Sequence, residues 1–403
     1  MGNSFLPYGK PCVEPMDIQA VTDCLSTDWL TQGPRVDSFE KEFAKALDAP
    51  HAIAVSNGTA ALHLALSIAG IGPGDRVVTS PLTFLASANA AIYVGATPDF
   101  CDIDPLSLSI DPVKLEENWK PDTRAVVAVD YAGIPCNLPA IAEVAHRHGA
   151  IVVEDACHGV GGKFFGPEGQ PGPWYLGSNP WADFSSFSLH AVKTLTGGEG
   201  GVLLCRSEEH AAMAKKLRAH GVERSSSNFT SFSEIDPLYE QGPWYHEMQA
   251  LGFNFRITDI QCALAHSQLL RLSEIISRRQ ELVTEYQQGL SGIPHLQLPS
   301  VPNPADEALT SWHLFPIQVD FAALGLTRSD LMHALRERGI GTQVHYIPVY
   351  LQPYYRQRFG YGPGMCPVAE SYYLSTLSLP LYPSLTANDT TRIITSLREL
   401  ITS

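Results

Sequence analysis

The sequence predicts an α/β fold, with a mostly parallel central sheet in a large domain and a smaller α+β C-terminal domain. Three observations carry this. Between about residues 50 and 205, short apolar β-rich runs alternate with helical ones. A proline-rich connection, "SGIPHLQLPSVPNPAD" (291–306), marks a shift of composition. The length of 403 residues suits two domains better than one.

Taken in order, "HAIAVS" (51–56), "DRVVTS" (75–80), "TPDFCDI" (97–103), "RAVVAVD" (124–130) and "AIVVEDA" (150–156) read as strands buried on both faces. Helix-like stretches such as "TAALHLALSIAG" (59–70) and "LPAIAEVAHRHG" (138–149) lie between them. An apolar, β-leaning run then leads from Phe184 to Leu189. Thr258 with Gln261 three residues on is a capping box, and it opens a helical pattern from Asp259 through the 280s. One long helix leaving the first domain for the second is expected there, with the large domain at 1–265 and the small one at 266–403. In the second domain "SWHLFPIQVD" (311–320) and "TQVHYI" (342–347) read as strands, with helices near 328–338 and 386–401. Residues 161–183 and 222–250 are Gly/Pro/Ser-rich and read as loops.

Bulk properties narrow the function. A formal charge of −15 and the lack of any Lys/Arg-rich run argue against nucleic-acid binding. The eight cysteines are scattered, with no C-x-x-C and no paired spacing with histidine, so neither a metal site nor a disulfide framework is expected. No apolar leader opens the chain and no run of 18 apolar residues occurs in it. A cytoplasmic protein without a membrane partner is the expectation.

The chemistry starts at "SFSLHAVKTLTGGEGG" (186–201), where a lone Lys193 precedes a glycine-rich turn. A lysine on a loop is ordinarily a solvated surface group. A desolvated one has a lowered pKa and can form a Schiff base. Two other places favour the second reading. In "SNGTAALHLA" a strand ends at Ser56 and turns through Asn57-Gly58-Thr59-Ala60 into a helix, which aims free N–H groups and a positive dipole end outward. In "VVEDACH" Asp155 ends an apolar strand, either as a helix N-cap or as a carboxylate facing a ligand. Lysine, acid and phosphate cradle together are what pyridoxal 5′-phosphate (PLP) requires.

The motif around Lys193 resembles that of the DegT/DnrJ/EryC1/StrS nucleotide-sugar aminotransferases, PLP-dependent enzymes of fold type I. The blocks "SNGTAALHLAL", "TFLASANAAIYVGATPDFCDIDP", "DYAGIPCNL", "VEDACHGVGG" and "LGFNFRITDIQCALAHSQL" are similar to others of that family, in the same order. Gly197, where threonine is expected, and a longer loop at 167–181 depart from the pattern. The resemblance implies that Lys193 holds the cofactor and shuttles a proton, that Asp155 keeps the pyridine nitrogen protonated, and that His158 lies near the cofactor's 3′-oxygen. It further implies that Phe84 stacks on the ring, that Thr59, Ala60 and Ser188 bind the phosphate, and that Asn254 reaches the phosphate of a neighbouring subunit in a homodimer. His190 could be packing as readily as chemistry. Lysine rather than histidine at 193 favours transamination over dehydration.

Within the family, "LSTDWLTQGP" (25–34), "GPWYHEMQALGFNFR" (242–256) and "GIGTQVHYIPVYLQPYY" (339–355) look like the branch serving pseudaminic acid biosynthesis. That branch aminates C4 of a UDP-linked 4-keto-6-deoxy-2-acetamido sugar using L-glutamate. Neighbouring C4 sugar aminotransferases share these blocks in looser form. By this resemblance Thr31, Gln32, Tyr245, Arg256, His345 and Tyr346 contact the sugar nucleotide, with Arg256 able to neutralise a pyrophosphate.

Overall fold

Seven strands form the main sheet of the computed structural model, which describes residues 5–230 and 243–402. Across the sheet they run His51–Val55, Gly201–Cys205, Phe184–Ser188, Ile151–Asp155, Thr123–Val129, Arg76–Thr79 and Thr97–Phe100. The Gly201 strand is antiparallel to both its neighbours, and the other pairings are parallel. Alternate residues along each strand serve different apolar clusters. Ile53, Val55, Val127 and Val153 pack beneath the helix Gly58–Ile68, while Ala52 and Ala54 pack with Phe39 and Phe43 on the other side. Both faces are covered, so strands such as His51–Val55, Thr123–Val129 and Gly201–Cys205 are apolar at successive positions rather than alternating. Each large side chain fully buried this way contributes about 1.5–3 kcal/mol.

A second, antiparallel sheet joins Leu296–Gln297, Phe315–Val319 and Thr376–Leu379. The helix Leu272–Leu290 and the helix Ala387–Thr402 bury Tyr286, Leu290, Ile393 and Leu397 in its core. The extended N-terminal segment pairs with this part of the chain, the Leu6 N–H donating to the Gly339 carbonyl at 2.8 Å and the Gly341 N–H to the Leu6 carbonyl at 2.7 Å.

Several elements differ from expectation. The long helix is two, Asp259–Leu269 and Leu272–Leu290. Between them Arg271 leaves helical geometry (φ −110°, ψ 12°), and its guanidinium reaches buried Asp17 at 2.6 Å. The strand expected over 311–320 is confined to Phe315–Val319, because the His313 N–H is drawn to the Ala132 carbonyl at 2.7 Å and Trp312 adopts a positive φ of 45°. Residues 342–347 form no strand. They retain a single bridge, Gln343 to Ser378, after which His345 turns its ring inward onto the Ser378 hydroxyl at 2.8 Å. The two presumed loops each carry a two-residue ladder, Lys163–Phe164 with Trp174–Tyr175 and Val222–Glu223 with Glu247–Met248.

Candidate active site

Thr59, Asp155, Ser188 and Lys193 follow or end strands at the carboxyl edge of the parallel strands, where open α/β sheets place their ligands. Asn57 ends the turn after the His51 strand and caps the helix that follows, its Oδ1 accepting the Ala60 N–H at 2.9 Å. The cap leaves the N–H groups of Gly58 and Thr59 without a partner among the described residues. Close approach is possible only because Gly201 has no side chain, since a Cβ there would lie 2.4 Å from the Asn57 carbonyl carbon. Asp155 pairs in register with Ser186, two residues before Ser188. The alternation of the strands therefore sets Asp155, Ser186 and Ser188 on one face, the face of the capped helix. The buried Ser186 hydroxyl has no partner among the described residues.

Asp155 is held from below. Its Oδ2 accepts the hydroxyl of buried Ser87 at 2.6 Å, its Oδ1 accepts the Cys157 N–H at 3.2 Å, and Ser87 is itself linked to Thr83 at 2.7 Å. Phe84, between Thr83 and Ser87, is the contrary case: it is 61% exposed although Leu82 and Thr83 beside it are buried. On the opposite face of the same strand, buried Glu154 accepts the Asn179 amide at 2.7 Å and neighbours buried Asp130.

Lys193 lies in the loop between the Phe184 and Gly201 strands, its N–H bonded to the His190 carbonyl at 2.9 Å. Burial lowers the pKa of its amine, and the nearby Cys157 and Asp155 oppose that shift. Three histidines face the same space. His158 is held well below the ordinary imidazole range by burial first, and then by Lys193 and His345. Burial and Lys193 depress His345 to about 3. His313 is likewise pushed well down, by burial and then by Lys193 and His158, and its ring centre is 4.5 Å from that of His158. At neutral pH all three rings are uncharged. His158 Nδ1 accepts the Ala132 N–H at 3.2 Å and its Nε2 lies 3.4 Å from the Tyr346 hydroxyl.

The other candidates are less central. His190 is exposed and faces Glu199 at 3.8 Å. Gln32, with a φ of 53°, and Arg256 line one cavity of about 210 Å³ together with Arg218 and Asp37. Thr31 is exposed and bridges Thr258. Tyr245 donates to Glu247 at 3.3 Å, beside residues 231–242, which lie outside the described residues. Asn254 is exposed on a segment that bridges Ala219. Apart from the His190 carbonyl, which accepts the Lys193 N–H, no hydrogen bond or ion pair joins these residues to Lys193 among the described residues of one chain. Ser87, Ala132 and His313 were not singled out in the sequence. Ser87 lies three residues after Phe84 in "TFLASANAAIYVGATPDFCDIDP", and His313 lies within the strand-like run "SWHLFPIQVD"; neither position carries a local signal of its role.

The donor set fits PLP. A desolvated amine, a hydrogen-bonded carboxylate, an exposed aromatic face, free helix N–H groups and unpartnered hydroxyls converge on one sheet edge, and each matches a different part of that cofactor.

Comparison with known proteins agrees. The profile of the DegT/DnrJ/EryC1/StrS aminotransferase family matches residues 11–398. The spore coat polysaccharide biosynthesis protein SpsC of Bacillus subtilis is 44% identical over 400 residues, covering 99% of this chain and 98% of that one. Among solved structures, Helicobacter pylori PseC, an aminotransferase involved in the biosynthesis of pseudaminic acid, superposes with a TM-score of 0.86 at 27% identity, covering 99% of both chains. The aminotransferase TlmJ of Streptoalloteichus hindustanus gives 0.85 at 31% identity, covering 98% of this chain and 99% of its own. The chain belongs to the DegT/DnrJ/EryC1/StrS aminotransferase family and is a PLP-dependent enzyme.

Proposed function

We propose that the enzyme transfers an amino group from L-glutamate to C4 of a UDP-linked 4-keto-6-deoxy-2-acetamido sugar, giving the UDP-4-amino-4,6-dideoxy sugar of a pseudaminic acid pathway. The observation that carries the catalytic reading is the meeting of the Lys193 loop, the Ser87-supported Asp155 carboxylate and the free Gly58 and Thr59 N–H groups at one sheet edge, where burial also lowers the pKa of the Lys193 amine. Bound PLP supplies an electron sink for the carbon that loses its proton. Lys193 would hold the cofactor, and its amine, whose pKa burial lowers, would move a proton at the reacting carbon. Asp155, fixed by Ser87, keeps a proton on the pyridine nitrogen. His158 would lie on the side of the cofactor's 3′-oxygen and Phe84 would stack on its ring. Thr59 and Ser188 would bind the phosphate; Ala60, expected to join them through its backbone N–H, gives that N–H to Asn57 Oδ1 instead. Asn254 of a second subunit completes the phosphate site, so the active unit is a homodimer with shared sites. The substrate-binding roles of Thr31, Gln32, Tyr245, Arg256, His345 and Tyr346 belong to the same reading, as do the division at 265/266 and a cytoplasmic location.

The substrate is supported by the sequence blocks and by the likeness to PseC. The SpsC relationship favours a second reading, a different nucleotide-linked 4-ketosugar of perosamine or 4-amino-arabinose type made for a polysaccharide. Incubating the holoenzyme with glutamate and a panel of UDP-, dTDP- and GDP-linked 4-ketosugars separates the two. The first reading expects the highest kcat/KM with the UDP-linked 2-acetamido sugar. Preference for a dTDP or GDP sugar selects the second. Lys193→Ala is expected to abolish turnover, and normal rates in that variant would refute both.

A further inference from the structure

We propose that the Ala132 amide fixes His158 in one neutral tautomer, so that His158 donates to the Tyr346 hydroxyl and Tyr346 presents its own hydrogen to an oxygen of the sugar. The proposal rests on the sugar-aminotransferase reading above and deepens it.

The chain of reasoning starts at a backbone outlier. Ala132 has φ 61° and ψ 2°, a left-handed conformation uncommon for a residue with a side chain. That conformation aims its two polar groups in useful directions. Its carbonyl accepts the N–H groups of His313 at 2.7 Å and Leu314 at 3.3 Å, and its N–H points at His158 Nδ1 at 3.2 Å. An amide N–H can donate only to a ring nitrogen that carries a lone pair. Nδ1 is therefore bare. Burial keeps the ring uncharged, so its proton sits on Nε2.

Nε2–H faces the Tyr346 oxygen at 3.4 Å. That oxygen is then an acceptor on the His158 side, and its own hydrogen must point elsewhere. No other hydrogen-bond partner for Tyr346 exists among the described residues. The neighbouring phenol of Tyr131 is already engaged, with the His345 carbonyl at 2.5 Å and with Tyr372 at 3.1 Å. Burial, with Tyr8, Asp155 and Cys157 nearby, pushes the ionisation of Tyr346 upward, so the hydroxyl stays a donor. A neutral donor suits a sugar hydroxyl or keto oxygen. The carboxylates of glutamate are matched better by a cation.

Two measurements test this. In apoprotein labelled with ¹⁵N-histidine, long-range ¹H–¹⁵N correlation at pH 7 should find His158 with a bare Nδ1 and a protonated Nε2. An Nδ1–H tautomer or an imidazolium overturns the proposal without any reference to turnover. In single-turnover experiments on the holoenzyme, Tyr346→Phe should slow the sugar half-reaction about ten- to hundredfold and leave the glutamate half-reaction within about twofold. Equal loss in both, or a shifted cofactor absorption band, would mean that the hydroxyl serves the cofactor and would refute the assignment. His158→Gln can accept from Ala132 and donate to Tyr346 through one amide, so it should recover most of the sugar half-reaction lost in His158→Leu. Failure of that rescue also counts against the relay. A wild-type enzyme that aminates no ketosugar defeats the substrate reading while the tautomer result stands on its own.

Discussion

Replacing Ser87 by alanine removes one hydroxyl and tests whether Asp155 depends on the support beneath it. The hydrogen bond is short, 2.6 Å, both groups are buried, and the remaining partner of the carboxylate is the Cys157 N–H at 3.2 Å. A hydrogen bond from a neutral donor to a charged acceptor contributes about 1.5–3 kcal/mol. Its loss therefore weakens the carboxylate's hold on a pyridinium by roughly ten- to hundredfold. The assay is titration of apoprotein with PLP by absorbance, followed by the rate of the glutamate half-reaction. Ser87→Thr, which keeps a hydroxyl, should behave closer to wild type. In an Asp155→Asn background the Ser87 change should add little, because a residue that acts through another loses its effect when that other is gone. Wild-type affinity and rate in Ser87→Ala, or full additivity in the double variant, would refute the reasoning.

Other expectations follow from the same geometry. Asp130 and Glu154 each carry an oxygen with no partner among the described residues, and burial followed by the Glu154 charge raises the pKa of Asp130 well above the usual carboxyl range. Asp130 thus binds its proton more tightly when folded, so its contribution is full below about pH 4 and is lost as pH rises toward the folded pKa, at ~1.4 kcal/mol per pH unit. Glu154→Gln can still accept from Asn179 and offers an N–H to Asp130, so urea denaturation should find it more stable than wild type at pH 8 and similar near pH 4. Gly201→Ala should cost about 1–3 kcal/mol by pushing on the Asn57 turn, with weaker PLP binding in parallel. An unchanged midpoint and affinity would remove that turn from the phosphate site. Lys193→Ala and Asn254→Ala chains refolded together should regain about a quarter of wild-type activity if Asn254 serves the partner's cofactor, since random pairing gives half mixed dimers with one intact site each. No recovery, with wild-type chains refolding well, would return Asn254 to its own subunit or remove it from the site.

The main sheet was legible because both its faces are buried, so strands such as His51–Val55 and Thr123–Val129 carry successive apolar residues, with helix-like stretches between the strands along the chain. The pieces that misread are those where a single tertiary contact overrides local pattern. Residues 342–347 have the composition of a strand, yet the ring of His345 is worth more facing Ser378 than the ladder is with one partner. The break at Leu270–Arg271 has no glycine or proline to announce it, and is fixed by an ion pair to Asp17, some 250 residues away in sequence. At the site, Lys193 and Asp155 were visible because, although each alone has a bland reading, together with the Asn57–Ala60 turn they make the set that PLP requires, inside blocks that resemble the family. Ser87 and His313 were not, since their roles depend on which residue faces them. Ala132 could not be found at all from its side chain, because what matters there is its φ.

The antiparallel Gly201 strand has a consequence for how far the reactive amine can travel. A parallel crossover would hand the chain to a long helix on the far side of the sheet. Here the chain returns at once, Ser188 opposite Gly201, and the loop of residues 189–200 is pinned at its neck by the Leu189 N–H to the Gly200 carbonyl at 2.8 Å and the Gly197 N–H to the Leu189 carbonyl at 2.9 Å. Lys193 is thus a short tether with both ends nailed down. Its amine, when detached, searches a volume only a side chain wide and keeps a very high effective molarity toward anything held at the sheet edge. Adding residues to that loop should dilute the amine rather than disable it, a graded slowing of recapture with no change in the fold.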